Sequence, residues 1–195
     1  MDQLLRLGLQ ERWTYEVLIS TFRHDTPHAV PIGVWTEGAD ELLMDVYDGS
    51  QTLASILEGG DFVANFPADA GLLYAALRAP RQLAFAEAQL VHAPVVAGCT
   101  ATVELTLRRA IPGTDRVRLA GAVRRVHHEG APRLINRAEG LLLESLVLAS
   151  RLEHRDAAAA QTTLTENLRV VSKVAPGSAY ERALAALLRE LGASS

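Results

Sequence analysis

Cysteine is almost missing from this chain. The single Cys99 among 195 residues cannot form an internal disulfide and excludes a multi-cysteine zinc site. A lone thiol can still be a nucleophile, but Cys99 opens a run that alternates as a strand does, which places it as a small buried hydrophobe. Long apolar runs are missing too. No stretch approaches the roughly 18 residues a bilayer crossing needs, and the opening Met1-Asp-Gln-Leu-Leu-Arg-Leu-Gly8 has neither a basic segment nor a long apolar one. The chain is therefore expected to be cytoplasmic, with no membrane partner. Positive charge is not in excess: Lys+Arg 19 against Asp+Glu 23 leave −4, so no basic field draws a nucleic acid. No Walker loop, Rossmann fingerprint, nucleophile elbow or zinc spacing occurs. His127-His128 beside Glu129 does not make a metal pair, because neighbours on a strand point to opposite faces, and no metal is expected.

What is present is an ordinary globular composition, 49% hydrophobic and 22% charged, enough to fill a core. The hydrophobic period changes once, near Pro132. Before it, short β-branched or alternating runs predict strands at Tyr15 to Thr21, Ala29 to Trp35, Glu41 to Tyr47, Phe62 to Phe66, Thr100 to Leu107 and Val117 to Val126. In Cys99 to Arg108 apolar and polar residues alternate strictly, which predicts one packed face and one wet or functional face. Ile111-Pro-Gly-Thr-Asp115 supplies a hairpin turn. Helices are predicted from Gln51 to Glu58 and from Asp69 to Arg78. After Pro132 the spacings become three and four. Asn136 caps a helix to about His154 with Leu142, Leu146, Ala149 and Leu152 on one stripe; a second runs from Thr163 to Val174, and a third, capped by Ser178, to Leu191. The pattern predicts a barrel domain over 1–130 and a helical domain over 131–195.

Function is most legible in the first sixty-six residues. A strand ending in Ser20-Thr21 turns at His24-Asp-Thr-Pro27 into Ala29-Val-Pro-Ile-Gly-Val34, and a further strand leads to Asp48-Gly-Ser-Gln-Thr52 at a helix start. Ser50 and Thr52 put two hydroxyls beside the unpaired N–H groups at the positive end of that helix, which suits a monophosphate; the plainer reading is that Ser50 only caps the helix. Pro31-Ile-Gly33 in mid-strand removes one ladder donor and one side chain, which suits a flat ligand against bare backbone; the plainer reading is an edge strand or bulge. His24 and His28 flank a turn and read as solvated residues; the alternative is that His28, close to the Pro31 strand, donates a proton. Trp13 and Trp35 are packing residues by type, with Trp35 also within reach of a flat ligand.

The ordered set Glu16-Val-Leu-Ile-Ser-Thr21, Ala29-Val-Pro-Ile-Gly-Val34, Gly49-Ser-Gln-Thr52 and Phe62-Val-Ala-Asn65 resembles the FMN-binding split β-barrel superfamily, which includes flavin reductases and pyridoxamine-phosphate oxidases. With Asn136-Arg-Ala-Glu-Gly-Leu-Leu-Leu-Glu144 and Ser150-Arg-Leu152 it resembles, more narrowly, a little-characterised prokaryotic family with a fused helical C-terminal domain. The resemblance implies a mainly β, Greek-key-like split barrel followed by helices, and a homodimer with FMN in a cleft between subunits. It implies that Thr21 and Ala29 to Val34, with Pro31, Ile32 and Gly33 among them, line the flavin. Ser50, Gln51 and Thr52 hold the phosphate, and Asn65 lies close to the ring. Relatives carry a basic residue in the Gly49 to Thr52 loop and this chain does not, so Arg137 and Arg151 are the candidates to neutralise the phosphate, or are plain surface residues. No residue is assigned to acid or base catalysis. Three functions fit: an FMN-dependent oxidoreductase, a flavin-binding carrier or assembly module without turnover, and a barrel that binds a deazaflavin or pterin instead.

Overall fold

The computed structural model describes residues 3–38, 40–150 and 157–193. The chain forms two units, Met1–Glu11 with Tyr15–Ile135 and Arg12–Thr14 with Asn136–Ser195. The division falls at Ile135 and Asn136, not at 130, because the backbone past Gly130 stays tied to the strands. Glu16 N donates to Ile135 O at 2.8 Å and Arg133 N donates to Thr100 Oγ1 at 3.0 Å.

The first unit runs α1 (Gln3–Arg6), β1 (Tyr15–Arg23), β2 (Thr26–Trp35), β3 (Glu41–Tyr47), α2 (Gln51–Gly59), β4 (Asp61–Pro67), α3 (Ala70–Arg78), β5 (Phe85–Glu87), β6 (Pro94–Val96), β7 (Cys99–Pro112) and β8 (Arg116–His128). The predicted mainly β barrel with helical insertions is what forms. Its six long strands close antiparallel in the order β1-β2-β3-β8-β7-β4, and β5 and β6 make a separate two-stranded sheet that their three-residue sequences did not foretell. His24 and Asp25, both at positive φ, form the two-residue turn between β1 and β2, whose mirror-image geometry matches the strand twist.

One junction of the barrel is thin. β2 pairs with β1 along its whole length but meets β3 only at Val34↔Met44 and Trp35↔Leu43, so the two strands splay beyond Gly33. Closure comes from β1 and β4 at Leu18↔Asn65, Ile19↔Ala64 and Ser20↔Val63. Phe62, Phe66, Leu105, Met44 and Leu119 fill the interior. Gly121 of β8 has no substitute there: a Cβ on it would stand 2.5 Å from Phe62 Cζ and 3.2 Å from Leu105 Cβ.

The expected wet face of β7 is a correction. Thr102 and Glu104 are buried, because the segment before β6 lies over them. Glu104 accepts from Gln89 N at 3.1 Å and Leu90 N at 2.6 Å, and Arg125 adds a cation at 3.5 Å, which satisfies the buried carboxylate. A register shift between Leu107 and Arg109 lets consecutive arginines, Arg108 and Arg109, grip the two oxygens of Glu41 at 2.7 and 2.8 Å. Cys99 packs beside Leu18, Ala29, Ala76 and Val96, and burial pushes its thiol up to about 12, so it is an unreactive hydrophobe.

The second unit holds α4 (Arg137–Ala149), α5 (Ala157–Val174) and α6 (Ala179–Ala193). Asn136 caps α4 through Ala138 N at 2.7 Å, while its amide donates to Thr14 O and Val174 O. The buried stripe of α4 is centred on Ala138, Leu141, Leu142, Ser145 and Leu148, packed on Leu164, Val171 and Leu184. Of the predicted stripe, Leu142 packs, Leu146 is 48% exposed, and Leu152 lies outside the described residues. The 3.6-residue period fits a face rotated toward Ala138. α6 is capped by Ser178, whose Oγ accepts from Glu181 N at 3.1 Å, and Trp13 stacks on Tyr180 at 6.0 Å. Among the described residues no helix is long and apolar enough to cross a membrane.

Candidate functional site

The sequence around α2 builds its site locally. Gly49 takes φ +71°, which a side chain disfavours, and turns the chain after β3. Asp48 Oδ1 receives Gly49 N at 2.9 Å, and Ser50, extended at φ −72° and ψ 150°, accepts from Leu53 N at 3.3 Å. The cap satisfies Leu53 N, and Ser50 N donates to Tyr47 O at 3.2 Å, which leaves the amides of Gln51 and Thr52 at the positive end of the dipole. Thr52, one step inside the helix, is 6% exposed as a residue. Among the described residues no buried side-chain polar atom lacks a hydrogen-bond partner, so its hydroxyl is not stranded: it sits where the cavity gives it access to solvent or a ligand.

That hydroxyl borders a cavity of about 370 Å³ where β2 and β3 part, walled by Val30, Pro31, Ile32 and Gly33 on one side, Asp45, Val46 and Tyr47 on another, and Ser50, Thr52 and Arg116 at one end. Its size is that of small-molecule and cofactor sites. Along the splayed stretch, β2 uses only one edge for pairing, and Pro31 and Gly33 thin the other. A second cavity of about 320 Å³ adjoins under the β7–β8 turn and shares Asp45 and Arg116 with the first.

The charges in the cavity are sorted by β8. Arg118 binds Asp45 in a bidentate pair, Nε to Oδ1 at 2.8 Å and Nη2 to Oδ2 at 3.1 Å, and lies 5.0 Å over the Trp35 ring. The Asp45 hydrogen bond holds the Arg118 guanidinium above its usual pKa. Arg116, one strand step earlier, donates from Nη2 to the neutral Tyr47 hydroxyl at 2.7 Å and lies 4.3 Å over that ring. Its nearest carboxylate, the exposed Asp115, stands at 4.0 Å.

Of the predicted site residues, Pro31, Ile32, Gly33, Ser50 and Thr52 come together on the cavity. Gln51 is exposed on the first turn of α2, beside the cavity but not on its wall. Thr21, Ala29, Val34 and Asn65 are not on the cavity wall. Val34 is fully buried, Ala29 belongs to the cluster with Leu18, Ala76 and Val96, and Thr21 Oγ1 donates to Asp61 O. Asn65 donates to Leu18 O, Ser20 Oγ and Val63 O and accepts from Val96 N, which ties its amide to the barrel. Arg137 opens α4 in the second unit and is not on the cavity wall, and Arg151 lies outside the described residues. His28 is half-buried, its pKa lowered by burial first and by Arg23 second. Arg116, Asp45 and Tyr47 were missed. The signal was the cross-strand register Tyr47↔Arg116, which a linear reading does not reveal across such a separation.

The comparisons with known proteins follow this geometry. No curated protein matches the chain. Over nearly its full length it is similar to a Methanosarcina mazei protein described as FMN-bound, at 19% identity, with 97% of this chain and 100% of that one covered and a TM-score of 0.57. Flavoredoxin of Desulfovibrio vulgaris is 20% identical over 60% of this chain and 70% of its own, at a TM-score of 0.51. The NADH:FAD oxidoreductase of Streptomyces globisporus is 17% identical over 68% and 85%, at 0.53. At these identities the likeness is one of fold. Residues 15–129, more than half of the chain, match the model described as the N-terminal domain of a protein of unknown function, DUF447, and the chain belongs to that family.

Proposed function

We propose that this protein binds FMN in the cavity between β2 and β3 and acts as an FMN-dependent oxidoreductase. The observation that carries the reading is the cavity itself: Ser50 and Thr52 at the start of a capped helix share its wall with the bare strand Pro31 to Gly33. Support comes from the similar M. mazei protein, which is FMN-bound, and from the S. globisporus oxidoreductase. In this reading the phosphate sits at the α2 N-terminus, where the free amides, Ser50 and Thr52 receive it, and the ring lies along Val30 to Gly33. When bound, the flavin supplies hydride or electron transfer, and the protein sets access and orientation. The residues hold and orient: Asp45 is tied to Arg118, and Tyr47 to Arg116.

The cavity mouth and the exposed Leu57 and Tyr47 favour a homodimer that covers the open side. The carrier reading has one observation of its own, the exposed apolar row Leu143, Leu146 and Val147 on α4, which suits a docking surface. The purified full chain, examined by visible spectroscopy, decides first. Yellow protein that releases FMN on denaturation supports the reading, and colourless protein that takes up no FMN on titration sinks it. Reduction by NADH or NADPH in stopped flow separates an oxidoreductase from a carrier.

A further inference from the structure

The phosphate end of the cavity needs a cation, and the two arginines of β8 are not equivalent. Arg118 is already neutralised: both of its contacts fall on Asp45, whose charge is thereby removed from the cavity as a repellent. Arg116 is not. Its guanidinium lies on the face of Tyr47 and donates to that phenol, a neutral partner, and its side chain keeps 40% of its surface exposed. Asp115, at 4.0 Å and itself 77% exposed, is too screened to cancel it. The backbone brings this arginine to the loop. Asp48 N donates to Asp115 O at 3.1 Å, so the turn before β8 is tied to the turn before α2, and Arg116 shares one wall with Ser50 and Thr52.

We infer that Arg116, from within the same subunit, is the counter-charge for a phosphate monoester, and that Tyr47 holds its guanidinium on the cavity wall until the anion arrives. This rests on the proposed function and deepens it, by naming what the cavity selects. Helix amides and hydroxyls accept any anion weakly, but a free guanidinium fork rewards a terminal phosphate carrying close to two negative charges. The site therefore prefers FMN to riboflavin, which offers it no anion. It also prefers FMN to FAD, whose flavin-side phosphate is closed into a phosphoanhydride and so presents fewer free oxygens and less charge to the fork. The anion assignment does not rest on the helix end alone: Arg116 and Thr52 line the same cavity, and the hydrogen-bond partner of Arg116 there is a phenol, not a carboxylate.

The test measures flavin dissociation constants by fluorescence quenching on the full chain, for FMN and riboflavin, in wild type, Arg116→Ala and Arg116→Lys. Arg116 is exposed enough for the variants to fold, and a thermal melt checks that they do. Arg116→Ala should weaken FMN about ten- to a hundredfold while leaving riboflavin within about twofold, and Arg116→Lys should recover part of the loss. An unchanged ratio of FMN to riboflavin affinity in Arg116→Ala overturns the inference and leaves the FMN reading standing. If wild type binds neither flavin, the FMN reading falls, and inorganic phosphate then judges Arg116 alone. A phosphate-dependent shift of an arginine Nε–H resonance that Arg116→Ala abolishes supports it, and no such shift in wild type overturns it.

Discussion

Replacing Thr52 by valine separates ligand chemistry from folding more cleanly than any other change at the cavity. Valine copies the shape of threonine and removes only the hydroxyl. In the free protein Thr52 is 6% exposed, and among the described residues no buried side-chain polar atom lacks a hydrogen-bond partner, so its hydroxyl carries no burial penalty to relieve. The flavin-free variant should therefore stay within about 1 kcal/mol of wild type, a shift in Tm of no more than roughly 2–4 °C. Binding should change more. A hydrogen bond to a charged phosphate contributes about 1.5–3 kcal/mol, so FMN affinity should fall by roughly one to two powers of ten. Ser50→Ala is the contrast, since Ser50 caps α2 through Leu53 N and its loss should cost about 1 kcal/mol of stability as well as affinity. Urea denaturation of the flavin-free proteins and fluorescence titration with FMN read the two effects separately. A Thr52→Val protein destabilised beyond its expected margin would show that the hydroxyl serves the fold, and one with unchanged FMN affinity would show that it does not face the ligand.

Gly33→Val should abolish FMN binding and leave a folded chain, because a β-branched residue suits β2 but fills the cavity wall; normal binding would place the ring elsewhere. Gly121→Ala should destabilise by about 1–3 kcal/mol, since its methyl would meet Phe62 and Leu105, and a denaturation midpoint equal to wild type would refute the close packing. His28, whose folded pKa lies below the ordinary 6.5, binds its proton less readily folded than unfolded, so stability should fall as pH drops through 6.5. His28→Gln should flatten that fall, and an unchanged pH profile of stability would clear His28 of it.

Strand by strand, the barrel was legible because β-branched runs such as Tyr15 to Thr21 and Glu41 to Tyr47 carry their period in the chain itself. The loop at α2 was legible for the same reason: a cap is a local device, and Gly49, Ser50 and Thr52 are neighbours. Asn65, Thr21 and Val34 lie off the cavity wall because a strand residue has two faces, and which one meets a cavity depends on what covers the other. For Asn65 the cover is Val96, and three-residue strands leave little periodic trace. Arg116 was invisible for a related reason. It becomes a cavity residue only through the pairing of β3 with β8, and its freedom shows only beside Arg118, whose charge Asp45 consumes. Glu104 looked like a wet-face residue by alternation and became a buried anchor once Gln89 and Leu90 were laid over it.

The carboxamide of Asn65 also bears on how the barrel assembles in time. Its partners lie on β1, 47 residues earlier, and on β6, 31 residues later, so the group has all its protein partners only when three distant segments have met. Until β6 arrives water serves the amide oxygen, and Val96 N takes over only when the third segment docks. The pairs of β3 with β8 span a still longer loop, from Glu41 to Ala122. Contacts this remote must overcome the entropy of closing long loops before they contribute, so refolding of the barrel should occupy milliseconds to seconds.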